Sequence, residues 1–83
     1  MLLDRQTGSL FDAVVATSGL APLIGPEVIR RACARAGVHG VILTATDLVR
    51  SLPAIRQALG IYMSAEEVQR HMRAIEKLAV RRS

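Results

Sequence analysis

An all-α compact bundle of four to five short helices, built as a single helical domain over residues 1–83, is the fold this sequence predicts. Three observations carry that reading. Apolar residues recur at three- and four-residue spacings in four separate stretches. Each stretch opens on a capping hydroxyl or a proline, and the first three run into a glycine. Only Val38 to Leu43 has the β-branched character of a strand, and a lone strand finds no partner within the chain.

The first helix starts at Ser9, whose hydroxyl is placed to cap it with Asp12 three residues on. Leu10, Phe11, Val14 and Val15 then share one face, and Gly19 suits a left-handed ending. Leu20 to Ile24 reads as an apolar connection with a turn begun by Pro22. Gly25-Pro26-Glu27 opens the second helix, because proline fits the first helical position and an early glutamate complements the helix dipole. Its stripe is Val28, Ile29, Ala32, Cys33 and Ala36, with Arg30, Arg31 and Arg35 facing away and Gly37 ending it.

Val38 to Leu43 reads as an apolar loop packed on the helices, and pairing with the same segment of a second copy stays open. Thr44 and Asp47 make a capping box for the third helix. Leu48, Leu52, Ile55, Leu59 and Tyr62 follow at steps of four, three, four and three, straight through Pro53. A proline inside a helix removes a hydrogen bond and costs ~3 kcal/mol, so a kink near Pro53 or two abutting helices is expected there, with Gly60 as the end. The last helix has the box Ser64-Ala65-Glu66-Glu67 and the face Val68, Met72, Ile75 and Ala79, with Leu78 beside it. Nothing breaks it before the C-terminus, which predicts the longest helix there.

Composition narrows the function classes. A chain of 83 residues buries roughly 60–65% of its extended surface on folding and has no room for two domains around an enclosed substrate cleft. Yet 51% of it is hydrophobic before glycine is counted. Such a small interior leaves apolar surface to meet another chain. Charged residues at 22% argue against intrinsic disorder. The uncharged stretch between Asp12 and Glu27 is too short and too broken by Gly19, Pro22 and Gly25 to cross a bilayer. Asp4 and Arg5 interrupt any signal-peptide core, so a cytoplasmic protein without membrane insertion is expected. Cys33 is alone and forms no internal disulfide.

No nucleophile–base arrangement is present in the pattern. Ser9, Thr44 and Ser64 sit where capping uses their hydroxyls. His39 and His71 fall in different elements, and Glu67 with His71 reads as a surface pair four residues apart. Cys33, His39 and His71 lack metal-ligand spacing, and Cys33 belongs to an apolar stripe. The glycines fall singly at helix ends, where left-handed caps explain them, and not in a phosphate-binding loop. Catalytic, cofactor-binding and metal-binding residues are therefore all expected to be none. A helix-turn-helix over Ile29 to Leu48 fails because the cap at Thr44 comes too late.

Two readings of function remain. The first is a non-enzymatic protein–protein interaction module, such as a small adaptor, regulator or assembly subunit. It would act through apolar helix faces and would associate with itself as a homodimer or higher, or with another protein. Its candidate interface residues are Leu10, Phe11 and Val14 on the first helix with Tyr62 and Met63 at the central turn. Leu2, Leu3, Leu20, Leu23, Ile24, Val41, Ile42 and Ile61 are further aliphatics outside the four stripes that need covering. The alternative is a basic helical nucleic-acid-binding protein. Its net charge is +4, carried by ten arginines and one lysine. Arg70, Arg73, Lys77 and Arg81 form a stripe on the last helix, with Arg82 beside it. Arg30, Arg31 and Arg35 would add charge if the second and last helices lay side by side. Glu66 and Glu76 are placed to neutralise part of that stripe.

Overall fold

A computed structural model describes residues 9–39 and 42–82, with the side chains of Arg81 and Arg82 excepted. Four helices carry the fold among these residues: α1 (Leu10–Thr17), α2 (Gly25–Arg35), α3 (Ala45–Leu59) and α4 (Ala65–Arg82). Each starts where local chemistry satisfies free backbone N–H groups. The Ser9 hydroxyl accepts from the Asp12 N–H at 3.1 Å. Thr44 and Asp47 exchange both bonds of a capping box, at 3.1 and 3.3 Å. Ser64 and Glu67 do the same at the start of α4. Helix α2 has no side-chain cap and relies on Pro26 in its first turn.

The endings are of two kinds. Gly37 has φ +86°, and α2 closes with paired bonds from the Val38 N–H to the Cys33 carbonyl and from Gly37 to Ala34, each 2.9 Å. Gly19 has φ +82° beyond α1. Gly60 differs from the left-handed cap expected there: its φ is −62°, and the chain leaves α3 through right-handed turns to Ala58 and Leu59 carbonyls. Gly25 also departs from that expectation. It is the buried first residue of α2, and a Cβ there would lie 3.1 Å from Val15 Cγ1, so its smallness serves the close approach of α1 to α2.

The apolar stripes read from the sequence meet in one core. Leu10 and Val14 enter from α1; Ile29, Ala32 and Cys33 from α2; Leu48, Ile55, Ala58 and Leu59 from α3; Val68, Met72, Ile75 and Ala79 from α4. Val38 and Leu43 anchor the two ends of the α2–α3 connection in the same core. No strand forms among the described residues, and Gly40 and Val41 lie outside them. Helix α2 packs chiefly on α1 and α3, and α4 chiefly on α3 and α1, which places α2 roughly diagonal to α4. The radius of gyration is 12.0 Å, matching the roughly 12 Å expected of a compact domain of this length.

Helix α3 is a single element through Pro53, whose ring is exposed. Two residues earlier, the buried Ser51 hydroxyl donates to the Asp47 carbonyl at 2.8 Å, so its burial leaves no polar atom unsatisfied. Among the described residues no helix is long and apolar enough to cross a membrane.

Candidate interaction surfaces

The Leu20–Ile24 connection and the Gly60–Met63 turn both end on the same side of α2. Ile24, the N-cap of α2, and Val28, Arg31 and Arg35 within it form one ridge at steps of four, three and four, which is one face of a helix. The last turn of α3 and the residues after it supply Ala58, Ile61 and Tyr62 opposite that ridge. The result is a groove of about 660 Å³, with Leu23 at one end and Arg31, Ala34 and Arg35 toward the other. Its apolar side chains are open to solvent: Leu23 is 96% exposed, Ile61 74% and Tyr62 51%. The physical cause is the connections. Leu23, Ile61 and Tyr62 sit in turns beyond the helix ends, where no helical stripe carries them inward.

The rim is electrically asymmetric. Glu27 holds Arg30 at 2.6 Å and Arg31 at 2.8 Å, and these guanidinium contacts keep its carboxyl below its ordinary value. Arg35, in the last turn of α2, has no ion pair among the described residues. The groove thus runs from an apolar end at Leu23, Ile61 and Tyr62 to a basic end at Arg31 and Arg35.

The five interface candidates named from sequence divide between interior and surface. Leu10 and Val14 are buried, and Phe11 is half-buried against the core. Met63 is also half-buried, packed on the core beside Tyr62. Tyr62 alone among them lines the groove. Leu23, Ile24 and Ile61 complete the patch with it, and the signal for them in the sequence was their position outside every stripe. Leu2, Leu3 and Val41 lie outside the described residues.

The basic candidates lie on α4. Arg70, Arg73 and Lys77 are exposed on one face; Arg81 and Arg82 lie in the last turn, their side chains outside the described residues. No carboxylate comes within ion-pair distance of Arg70, Arg73 or Lys77 among the described residues, so Glu66 and Glu76 do not clamp them. Helices α2 and α4 are not among the closely packed pairs of the described residues, and Arg30, Arg31 and Arg35 are exposed on α2.

His71 lies near Glu67, whose carboxylate it helps to stabilise, and makes its hydrogen bond to another helix. Its Nδ1–H donates to the Thr17 carbonyl at 3.0 Å, at the end of α1. Glu67 instead accepts from the Ser64 N–H at 3.1 Å and the Ser64 hydroxyl at 3.2 Å, which hold its carboxyl below its ordinary value. Burial pushes the Cys33 thiol up, with the Ser51 hydroxyl beside it acting in the opposite direction. A protonated buried thiol is a poor nucleophile. Among the described residues no three His, Cys, Asp or Glu side chains gather as metal ligands would. No known family model, characterised protein or solved structure matches the chain.

Proposed function

We propose that this chain is a non-enzymatic protein–protein interaction module, a small adaptor, regulator or assembly subunit that works by offering apolar surface to itself or to another protein. The observation that supports it is the contiguous set Leu23, Ile24, Ile61 and Tyr62, exposed together along one groove. Scattered exposed aliphatics are normal on a monomer, whereas several meeting in one concave patch mark a site of contact.

The test is light scattering coupled to size-exclusion chromatography over a wide concentration range, at low and high salt, with parallel titrations of DNA and RNA duplexes. Self-association that survives high salt and disappears in Ile61→Asp supports this reading. A monomer that binds nucleic acid with a steep loss on adding salt overturns it.

The unpaired Arg70, Arg73 and Lys77 face on α4 favours a second reading, in which the protein tracks phosphates. Changing Arg73 and Lys77 to glutamate abolishes such binding and leaves an apolar contact untouched.

A further inference from the structure

We infer that the groove between α2 and the α3–α4 turn receives an acidic amphipathic helix of another protein, about three turns long. The inference rests on the interaction-module reading and adds the chemistry of the partner. Length comes from the ridge. Ile24 to Arg35 spans the groove along α2, roughly 16 Å at 1.5 Å per residue, which matches about three turns of a facing helix. Apolar anchors spaced one turn apart on that helix would meet the floor made by Val28, Ala58, Ile61 and Tyr62.

Charge selects the partner. Glu27, the one carboxylate lining the groove among the described residues, is already engaged by Arg30 and Arg31. Arg35 has no ion pair among the described residues, and it lies with Arg31 at the same end of the groove. The whole chain carries +4. A second copy docked here would bring that same positive charge and the same arginines to the contact. A helix with Asp or Glu flanking its apolar stripe brings the opposite sign to Arg35 first, and to Arg31, whose charge Glu27 already shares, which speeds encounter and fixes register.

The experiment uses the full chain and three fluorescein-labelled, 18-residue helical peptides, whose extra turns hold a stable helix around a central three-turn docking segment. All share one leucine stripe, and their flanking positions are glutamate, glutamine or lysine. Fluorescence anisotropy is expected to rank them glutamate, glutamine, lysine, with at least a tenfold difference between first and last at low salt. The variant with Arg31→Glu and Arg35→Glu is expected to reverse the order. Ile61→Asp, whose side chain is outside the core, is expected to weaken all three by at least tenfold.

Equal binding of the three peptides, lost in Ile61→Asp, overturns the acidic partner while the apolar docking site stands. A salt-insensitive dimer that excludes every peptide and dissociates in Ile61→Asp does the same, and assigns the groove to a second copy. Failure of all three peptides to bind a monomeric chain overturns both the partner and the site. So does an acidic preference that Ile61→Asp leaves intact and a DNA duplex displaces, since the binding then belongs to the basic surface.

Discussion

The imidazole of His71 lies where a side chain on Gly19 would begin: a Cβ at Gly19 would fall 2.6 Å from both Cε1 and Nε2 of that ring. The same ring donates from Nδ1 to the Thr17 carbonyl at 3.0 Å. One glycine therefore serves two ends. It takes the φ of +82° that turns the chain out of α1, and it leaves room for the α4 side chain that ties α1 down.

Gly19 and Gly37 share the left-handed conformation and differ in their surroundings, since a Cβ at Gly37 meets nothing within 4 Å. Gly37→Ala is expected to cost only the backbone term of about 1–2 kcal/mol. Gly19→Ala adds an overpacking cost of about 1–3 kcal/mol. Urea denaturation of both variants measures the difference. Adding His71→Ala to Gly19→Ala should cost less than the two changes taken separately, and strict additivity would show that the ring and the glycine are independent.

Ile55 and Ile61 are six residues apart and differ in burial, the first wholly enclosed and the second open in the groove. Ile55→Ala is expected to destabilise by about 2–5 kcal/mol through the cavity it leaves. Ile61→Asp should stay within about 0.5 kcal/mol of the parent, as surface changes do. Thermal melts decide it; a large loss in Ile61→Asp would place that side chain in the interior.

Pro53 has no N–H to give the Val49 carbonyl, the acceptor one turn earlier in α3. Both residues are exposed, so the change to alanine meets no packing obstacle. Pro53→Ala is expected to raise stability by about 1–3 kcal/mol and the melting temperature by at least about 4 °C. An unchanged or lower melting temperature would mean that the helix around Pro53 is shaped to need it.

The capping carboxylate Glu67 gives α4 an acid-sensitive start. Its folded value lies below the ordinary 4.5, held there by the Ser64 backbone N–H and hydroxyl. A depressed carboxylate contributes stability that is fully present above its unfolded value and is lost as pH falls through the folded one. The stability advantage of the parent over Glu67→Gln should therefore hold near pH 6 and shrink toward about pH 3. Melts across that range read it directly, and a pH-independent difference would remove Glu67 from the cap's titration.

Stripes and caps were legible because they are local. Val68, Met72, Ile75 and Ala79 follow the helical period and all four reach the core, and the boxes Thr44–Asp47 and Ser64–Glu67 form as their spacing requires. The conformation of Gly60 was not legible, because a glycine permits a left-handed turn without demanding one. His71 depends on the packing of α1 against α4, and no local spacing relates it to Thr17. The groove was half legible. Leu23, Ile24 and Ile61 stand out as aliphatics belonging to no stripe, but only the packing of α2 on α3 brings two separate turns to one side.

Helix α1 has 8 residues and touches both α2 and α4, whereas α2, α3 and α4 pack in chain order. Every other contact between neighbouring helices closes a short loop; the bond from His71 to Thr17 spans 54 residues. Closing that span costs more chain entropy than joining α2 to α3 or α3 to α4. The economical folding order is therefore one in which contacts between successive helices form first and the α1–α4 contact closes last, with the proposed docking groove, whose walls belong to α2, α3 and their flanking turns, largely built before that closure.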